Sequence, residues 1–374
     1  MLVSPVLKRR DRDAFLRLPF RIFNGDPAWI PPILIERKGH CSRRNPFFSH
    51  AIGESWIAWR SGVPVGRISA HIDHLYLERY GDDTGFFGMI EAVDDPAVFH
   101  ALFAHAEKWL LDHGMRKVLG PFNYSINQEC GLLVEGFGIP PSIMMGHCPP
   151  YYPLRVEELG YSKAKDLLAY RIQANFPAPS FLSSLQARYA DRIRMRTLDN
   201  RLFFKDLQII RDIYNDAWSG NWGFVPFTEE EFRELGSAMR FLVPPDYVRI
   251  AEVDGEPAAM MVLFPNLNEA IRDLNGRLFP LGWLKLLWRL KVCGLQSGRV
   301  PLMGVRRRFQ SSMLGAALSF MMITSIQASG LKRGIKEVEM SWILEDNPGM
   351  IKIIESIGGT CYKRYRIYEK VMAN

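Results

Sequence analysis

The chain carries one order of segments twice, and only the second pass includes a basic turn. Phe20-Arg21-Ile22-Phe23-Asn24, followed by Trp29 and Pro31-Pro32, is echoed by Arg211-Asp212-Ile213-Tyr214-Asn215, followed by Trp218, Trp222 and Pro226. Trp56-Ile57-Ala58-Trp59-Arg60-Ser61-Gly62 is echoed by Val248-Arg249-Ile250-Ala251-Glu252-Val253-Asp254-Gly255. Glu157-Glu158-Leu159-Gly160-Tyr161-Ser162-Lys163 is echoed by Ile354-Glu355-Ser356-Ile357-Gly358-Gly359-Thr360. The offsets are 191, 193 and 198 residues, so order and spacing persist together, as expected of two copies of one domain type. Copy two alone carries Val305-Arg306-Arg307-Arg308-Phe309-Gln310-Ser311-Ser312 between a strand pattern and a helix pattern.

A length of 374 residues suits two domains that each bury a core. The net charge of +7 admits nucleic acid, an anionic membrane or a phosphorylated co-substrate, and placement of the charges has to decide. The five cysteines are scattered with no Cys-x-x-Cys, which supports neither a disulfide framework nor a zinc site. The apolar run before Lys8-Arg9-Arg10 is short for a signal peptide, and the reading finds no stretch near the roughly 20 apolar residues that span a bilayer. The expectation is a cytoplasmic protein that is not integral to a membrane.

Periodicity predicts helix 12–24, a hairpin around Ser61-Gly62, strand 85–92, a helix from Asp95-Pro96 to His113, strand 117–122 and a long loop to Pro150. A short helix to Gly160 and strand 167–172 complete copy one. Copy two predicts helix 204–217, hairpin 247–264, strand 301–305, helix 312–329, strand 336–343, helix 348–357 and strand 360–371. Each copy reads as α+β, a mixed, mainly antiparallel sheet flanked by helices. The domains are expected at 1–175 and 190–374, joined near Asn175-Phe176-Pro177-Ala178-Pro179, with an insertion at 265–300 in copy two.

A strand turning tightly into a helix aims free N–H groups at one point, where an anion is favoured. Arg306, Arg307 and Arg308 precede that point, and Gln310, Ser311 and Ser312 supply polar caps. A pyrophosphate suits it; solvated surface charge with an ordinary serine cap is the alternative. At the matching point copy one has Glu91, Asp94 and Asp95, which repel a phosphate.

This order of elements resembles the GNAT superfamily of acyl-CoA-dependent N-acyltransferases. Gln310-Ser311-Ser312-Met313-Leu314-Gly315 is similar to the family's Gln/Arg-x-x-Gly-x-Gly/Ala turn, with Met313 in place of the first glycine. Trp342-Ile343-Leu344-Glu345-Asp346-Asn347, then a helix and Gly358-Gly359, resembles the family's ending, but the tyrosine that many members use as thiolate acid is missing. The resemblance implies two tandem GNAT-like domains, with acyl-CoA as co-substrate, no tightly bound cofactor, and Val305, Arg306, Arg307, Arg308, Gln310, Ser311, Ser312, Met313 and Asn347 as its contacts. Gly120-Pro121-Phe122-Asn123-Tyr124-Ser125-Ile126-Asn127-Gln128-Glu129-Cys130-Gly131, Pro149-Pro150-Tyr151-Tyr152 and Lys363-Arg364-Tyr365-Arg366-Ile367-Tyr368-Glu369-Lys370 look like the branch that includes the bacterial ceramide synthases. That branch implies transfer of a fatty acyl group to a sphingoid base.

An amine attacking a thioester must lose a proton, which makes Glu129, Asn123 and His147 candidates to take or orient it and Tyr152 a candidate to protonate the thiolate. Turn chemistry and packing are the alternatives for all four. Asn215, Trp218, Trp222 and Phe224 lie where related enzymes form the acceptor pocket, and a core plug is the alternative. In the insertion, Lys285 and Arg289 share a helical face beside Trp283, Leu284, Leu287 and Trp288. The pattern fits an anionic membrane interface at the inner face, with an ordinary packed helix as the alternative. Two rival functions remain: an aminoacyl-tRNA-dependent transferase of cell-wall precursors, for which no coiled-coil arm is visible, and a non-catalytic acyl-CoA or lipid sensor. No nucleic-acid partner is expected.

Overall fold

The computed structural model describes residues 1–177 and 181–372. Of the boundary segment, Ala178 and Pro179 lie outside the described residues. The first half runs β1 (Leu2–Pro5), α1 (Arg9–Ile22), α2 (Leu34–His40), β2 (Ala51–Arg60), β3 (Val63–Asp73), α3 (His74–Tyr80), β4 (Thr84–Ala92) and α4 (Pro96–Asp112). It continues through β5 (Lys117–Gly120), β6 (Phe122–Asn123), β7 (Glu129–Cys130), β8 (Leu132–Glu135), α5 (Tyr151–Glu157) and β9 (Ser162–Gln173). The second half runs α6 (Phe181–Tyr189), β10 (Ile193–Thr197), α7 (Phe203–Ala217), α8 (Glu229–Met239), β11 (Val248–Val253), β12 (Glu256–Pro265), α9 (Leu267–Ile271) and α10 (Gly282–Trp288). Then come β13 (Ser297–Val305), α11 (Arg307–Gln310), α12 (Met313–Lys332), β14 (Glu337–Leu344), α13 (Pro348–Ser356) and β15 (Thr360–Val371).

Two compact units result. Unit 1 comprises Met1–Leu167, Ile271–Gly282 and Lys363–Asn374; unit 2 comprises Leu168–Ala270 and Trp283–Tyr362.

In unit 1, β1 to β4 pair antiparallel in order, and β5 joins β4 in parallel. The last strand comes from the end of the chain: Tyr368–Val371 pairs antiparallel with Lys117–Gly120, and Arg364–Arg366 pairs with β8. β3 is buried along nearly its whole length, which suits a central strand. α4 begins where Asp95 accepts from Ala97 N–H at 2.8 Å with Pro96 in the first turn, and it buries Val98, Phe99, Leu102, Phe103, Ala106 and Leu110.

In unit 2, β10 to β13 pair antiparallel and β14 joins β13 in parallel. Residues 168–173 of β9 pack here, where Arg171 pairs with Glu337 at 3.0 Å. α12 is apolar on every side and supplies Leu314, Ala317, Leu318, Met322, Ile323 and Ile326 to the core. Contrary to the sequence reading, this 20-residue helix is long and apolar enough to cross a membrane; two-thirds of its most apolar window is buried inside the fold. Core duty therefore explains its hydropathy. The loop expected between Phe122 and Pro150 also contains β6, β7 and β8.

Candidate active site

β13 and β14 pair from Ser297↔Glu337 to Val300↔Met340, then both continue, to Val305 and Leu344, without pairing to each other. The strands therefore part, while β13 stays paired with β12 as far as Val305. At the end of the open stretch the chain turns. Arg306 anchors the turn, donating its N–H to Ala258 O at 2.8 Å and its Nε to Pro257 O at 2.8 Å. Gln310 Nε2 closes it, donating to Val305 O at 2.8 Å and Ala217 O at 2.9 Å.

Ser312 caps α12, accepting from Gly315 N–H at 3.0 Å and donating to Phe309 O at 2.7 Å. A Cβ at Gly315 would stand 2.1 Å from Phe309 O, so only glycine keeps this turn so tight. Arg307, Arg308, Ser311, Ser312 and Met313 are exposed around the start of α12, and Val305 is buried beneath. One detail departs from expectation. Arg307 N–H is taken by Asp216 Oδ2 at 2.9 Å, so a carboxylate already occupies one donor of the turn. Asp216 and Glu256 share a partly open cavity of about 280 Å³ with Arg306 and Arg308. Asn347 caps α13, accepting from Met350 N–H at 3.1 Å.

At the base of the parted strands lies a buried cluster that sequence reasoning missed. Arg299 and Glu339 are register partners with charged groups 3.6 Å apart. Arg299 Nε donates to Ser341 Oγ at 2.8 Å, and Ser341 and Tyr362 both donate to the Glu339 carboxylate. The available signal was a charge at Arg299 and another at Glu339, each inside an otherwise largely apolar strand.

Of the expected acceptor residues, three are engaged in packing. Asn215 exchanges two hydrogen bonds with the Phe227 backbone, at 3.0 and 3.1 Å. Trp218 packs against Tyr214, ring centroids 4.8 Å apart and tilted, and donates its indole N–H to Met303 O, on the open stretch of β13, at 3.0 Å. Phe224 is buried 5.9 Å from the Tyr214 ring. Trp222 is half-buried.

Unit 1 fills its own parted strands. β4 pairs with β5 only to Phe86↔Leu119. Beyond that point Gly88 lies so close to Phe122 O that a Cβ would stand 1.8 Å from it. Asn123 Oδ1 accepts from Met89 N–H at 2.7 Å, Tyr152 OH accepts from Ala92 N–H at 2.9 Å, and Tyr151 OH donates to Ala92 O at 2.7 Å. Tyr152 is fully buried, which pushes its phenol well above the usual range. That placement argues against Tyr152 as a thiolate acid. The three acids of the turn are engaged: Glu91 pairs with Arg67, Asp94 with Arg155 and Asp95 with Arg60.

The polar loop is also committed. Glu129 receives Arg37 on both oxygens, at 2.5 and 3.0 Å, and Asn123 Nδ2 at 3.1 Å. Burial opposes its charge, but the Arg37 guanidinium prevails and holds the carboxyl at about 2. So weak a base is poorly matched to an amine, and Glu129 reads as a structural counter-charge. His147 differs. Its Nε2 meets Asp26 Oδ2 at 2.7 Å, burial lowers its pKa despite Asp26, and its Nδ1 has no hydrogen-bond partner. A neutral ring whose N–H faces Asp26 presents Nδ1 as a proton acceptor. Neither Asp26 nor Arg37 was singled out in the sequence, because each depends on a partner about a hundred residues away.

No protein-family model matches the chain. Among solved structures it is similar to a tandem GNAT protein from the clavulanic acid biosynthesis pathway, with TM-score 0.57 and 13% identity over 100% of this chain and 99% of that one. It also resembles a GCN5-related N-acetyltransferase from Sphaerobacter thermophilus, with TM-score 0.53 and 14% identity over 99% and 95% of the two chains. A mixed sheet in each unit, that of unit 2 opening onto a basic strand-to-helix turn, gives the tandem GNAT fold, the architecture expected from the sequence. By sequence, the chain belongs to the family of two full-length relatives. One is Protein YghO of Escherichia coli (strain K12), 49% identical over 99% of this chain and 95% of that protein. The other is the bacterial ceramide synthase of Caulobacter vibrioides (strain NA1000 / CB15N), 46% identical over 99% and 97%.

Proposed function

We propose that this chain is an acyl-CoA-dependent N-acyltransferase that moves a fatty acyl group onto a lipidic amine, with a sphingoid base as the first acceptor to try. The observation that carries the reading is the opening between β13 and β14, which ends at the arginine-rich turn and is matched in unit 1 by a filled counterpart. The pantetheine arm of CoA is an extended amide that can satisfy backbone groups left over where two strands part. Its pyrophosphate suits the exposed Arg307 and Arg308 and the positive end of α12. The full-length likeness to a protein named bacterial ceramide synthase supports the choice of acceptor.

In the reaction the amine nitrogen attacks the thioester carbonyl, the C–S bond breaks, the amine gives up a proton and CoA leaves as the thiol. Among the residues read as proton carriers, His147 has a ring nitrogen without a hydrogen-bond partner, while both Glu129 oxygens are engaged by Arg37, so His147 is the base we assign. Purified protein, incubated with palmitoyl-CoA and a panel of amines including a sphingoid base, should release free thiol only when both substrates are present. Absence of release with every amine, alongside tight CoA binding, would leave the sensor reading in its place.

Peripheral attachment at the cytoplasmic membrane face belongs to the same proposal. Trp283, Leu284, Leu287, Trp288 and Val292 are all exposed, a run of apolar side chains with no core duty. Arg289 differs from its expected role at headgroups, since its Nη1 donates inward to Ala270 O at 2.7 Å. Sedimentation with anionic vesicles should therefore depend on the two tryptophans more than on Arg289. If Trp283→Ala/Trp288→Ala sediments as the parent does, the attachment idea fails.

A further inference from the structure

Unit 2 holds a second cavity, separate from the basic turn and formed almost wholly of hydrocarbon. It lies among α7, α8 and the face of β11 to β13, with Leu207, Ile210, Phe232, Leu235, Val262 and Leu302 in its wall. Its volume is about 60 Å³. One water-sized group needs roughly 10–15 Å³, so the cavity has room for more than one such group. Water gains nothing there, because a water needs two or more polar partners and the wall offers almost none. A headgroup is excluded for the same reason. A chain of methylenes is not.

Two placements connect the cavity to the site already described. Leu302 lies on the stretch of β13 that has left β14, so the cavity wall includes the edge of the opening. The rim is amphipathic: Arg240 lines the cavity and lies over the Phe203 ring at 4.7 Å, while the adjoining Phe204, Phe241 and Leu202 are exposed. Apolar side chains next to cations suit a mouth that receives a chain from a lipid phase.

We propose that this cavity seats a short methylene segment of one substrate alkyl chain. The inference rests on the transferase reading and adds a chain-length ruler to it. The chain has two possible sources, the acyl donor and the long-chain amine, which share this chemistry.

The test uses the full chain and a fluorescent eighteen-carbon polyene fatty acid as probe. The probe should brighten on binding and be displaced by palmitoyl-CoA if the donor chain occupies the cavity, by hexadecylamine if the acceptor chain does, and by acetyl-CoA in neither case. Each enclosed methylene contributes roughly a fourfold gain in affinity. Filling the cavity with Leu235→Trp or Met239→Trp should therefore weaken the probe at least tenfold, leaving CoA binding and melting temperature near the parent's. Met239→Ala, which enlarges the space, should move the preferred chain upward by one or two carbons and covers the case in which a tryptophan variant misfolds. Unchanged probe affinity in a folded tryptophan variant, or unchanged chain preference in Met239→Ala, overturns the proposal. So does displacement of the probe by neither lipid. The two readings separate cleanly. Loss of probe binding in the filled variants with no thiol release from the parent keeps the chain site and removes the transferase; thiol release whose chain preference ignores every cavity variant does the reverse.

Discussion

Glu129 is partly buried and the His147 ring almost wholly so, each beside an opposite partner, yet the physical chemistry assigns them different duties. Glu129→Gln removes one of the two carboxylates on Arg37 and leaves Glu36 at 2.8 Å, so losing the charged hydrogen bonds costs about 1.5–3 kcal/mol. Its expected signature is a lower denaturant midpoint. His147→Asn should instead lower kcat by roughly 10²–10⁴-fold, with melting temperature and CoA affinity preserved. A Glu129→Gln variant of parental stability but lost turnover would return the base to the carboxylate. Acid sensitivity follows from two other residues of unit 1. Burial holds His40 and His71 at about 4, with Arg37 adding to the effect at His40. Between that value and the ordinary 6.5 they are neutral when folded but protonated when unfolded, so stability present above pH 6.5 is lost as pH falls through this window. Glu129 extends the loss lower, from the usual carboxylate range toward about 2. Melting temperature should drop between pH 6.5 and 4, and His71→Phe, whose ring still stacks on Phe86, should shallow that drop. An unchanged slope would remove His71 from the account.

For the turn between β13 and α12, the side chains matter because one backbone donor is already taken by Asp216. Charge-assisted phosphate contacts contribute about 1.5–3 kcal/mol each, so Arg307→Ala/Arg308→Ala should weaken acyl-CoA strongly in calorimetry, and less so in high salt. Parental affinity in the double variant would move the pyrophosphate elsewhere. This turn was legible in the sequence because its signals are local: three arginines, a serine cap and a helix pattern within ten residues. The hairpins around Ser61-Gly62 and Asp254-Gly255 were legible for the same reason. The Arg299–Glu339 pair was not, since it depends on a register between strands forty residues apart. Tyr151 and Tyr152 carried no sign of closing a parted sheet, because the strand end they reach, Ala92, lies some sixty residues earlier. α12 was found as a helix but its apolar length was underread, and only its burial distinguishes it from a spanning helix of the same hydropathy.

Across the whole chain, two copies of one order of elements have diverged by what occupies the gap in each sheet. In unit 1 Asn123, Tyr151 and Tyr152 hold the backbone groups that acyl-CoA would need, and Glu91, Asp94 and Asp95 set the charge of its turn against phosphate. Titration should therefore give one CoA per chain; a stoichiometry of two would mean that the plug opens. The closing strand of unit 1 has a separate consequence, one concerned with time. Residues 363–371 include Lys363, Tyr365, Ile367 and Tyr368, all fully buried, and Lys363 Nζ reaches Ile139 O at 2.6 Å. A ribosome delivers these residues after the rest of unit 1 and after the whole of unit 2. The first repeat must therefore wait, with its sheet one strand short and an apolar edge uncovered, until the second repeat has been made. Stalled nascent chains of increasing length should acquire protease resistance in residues 1–167 only once residue 371 has cleared the exit tunnel. If resistance appears while the last strand is still inside, the repeat stands without it, and the order of manufacture places no demand on the fold.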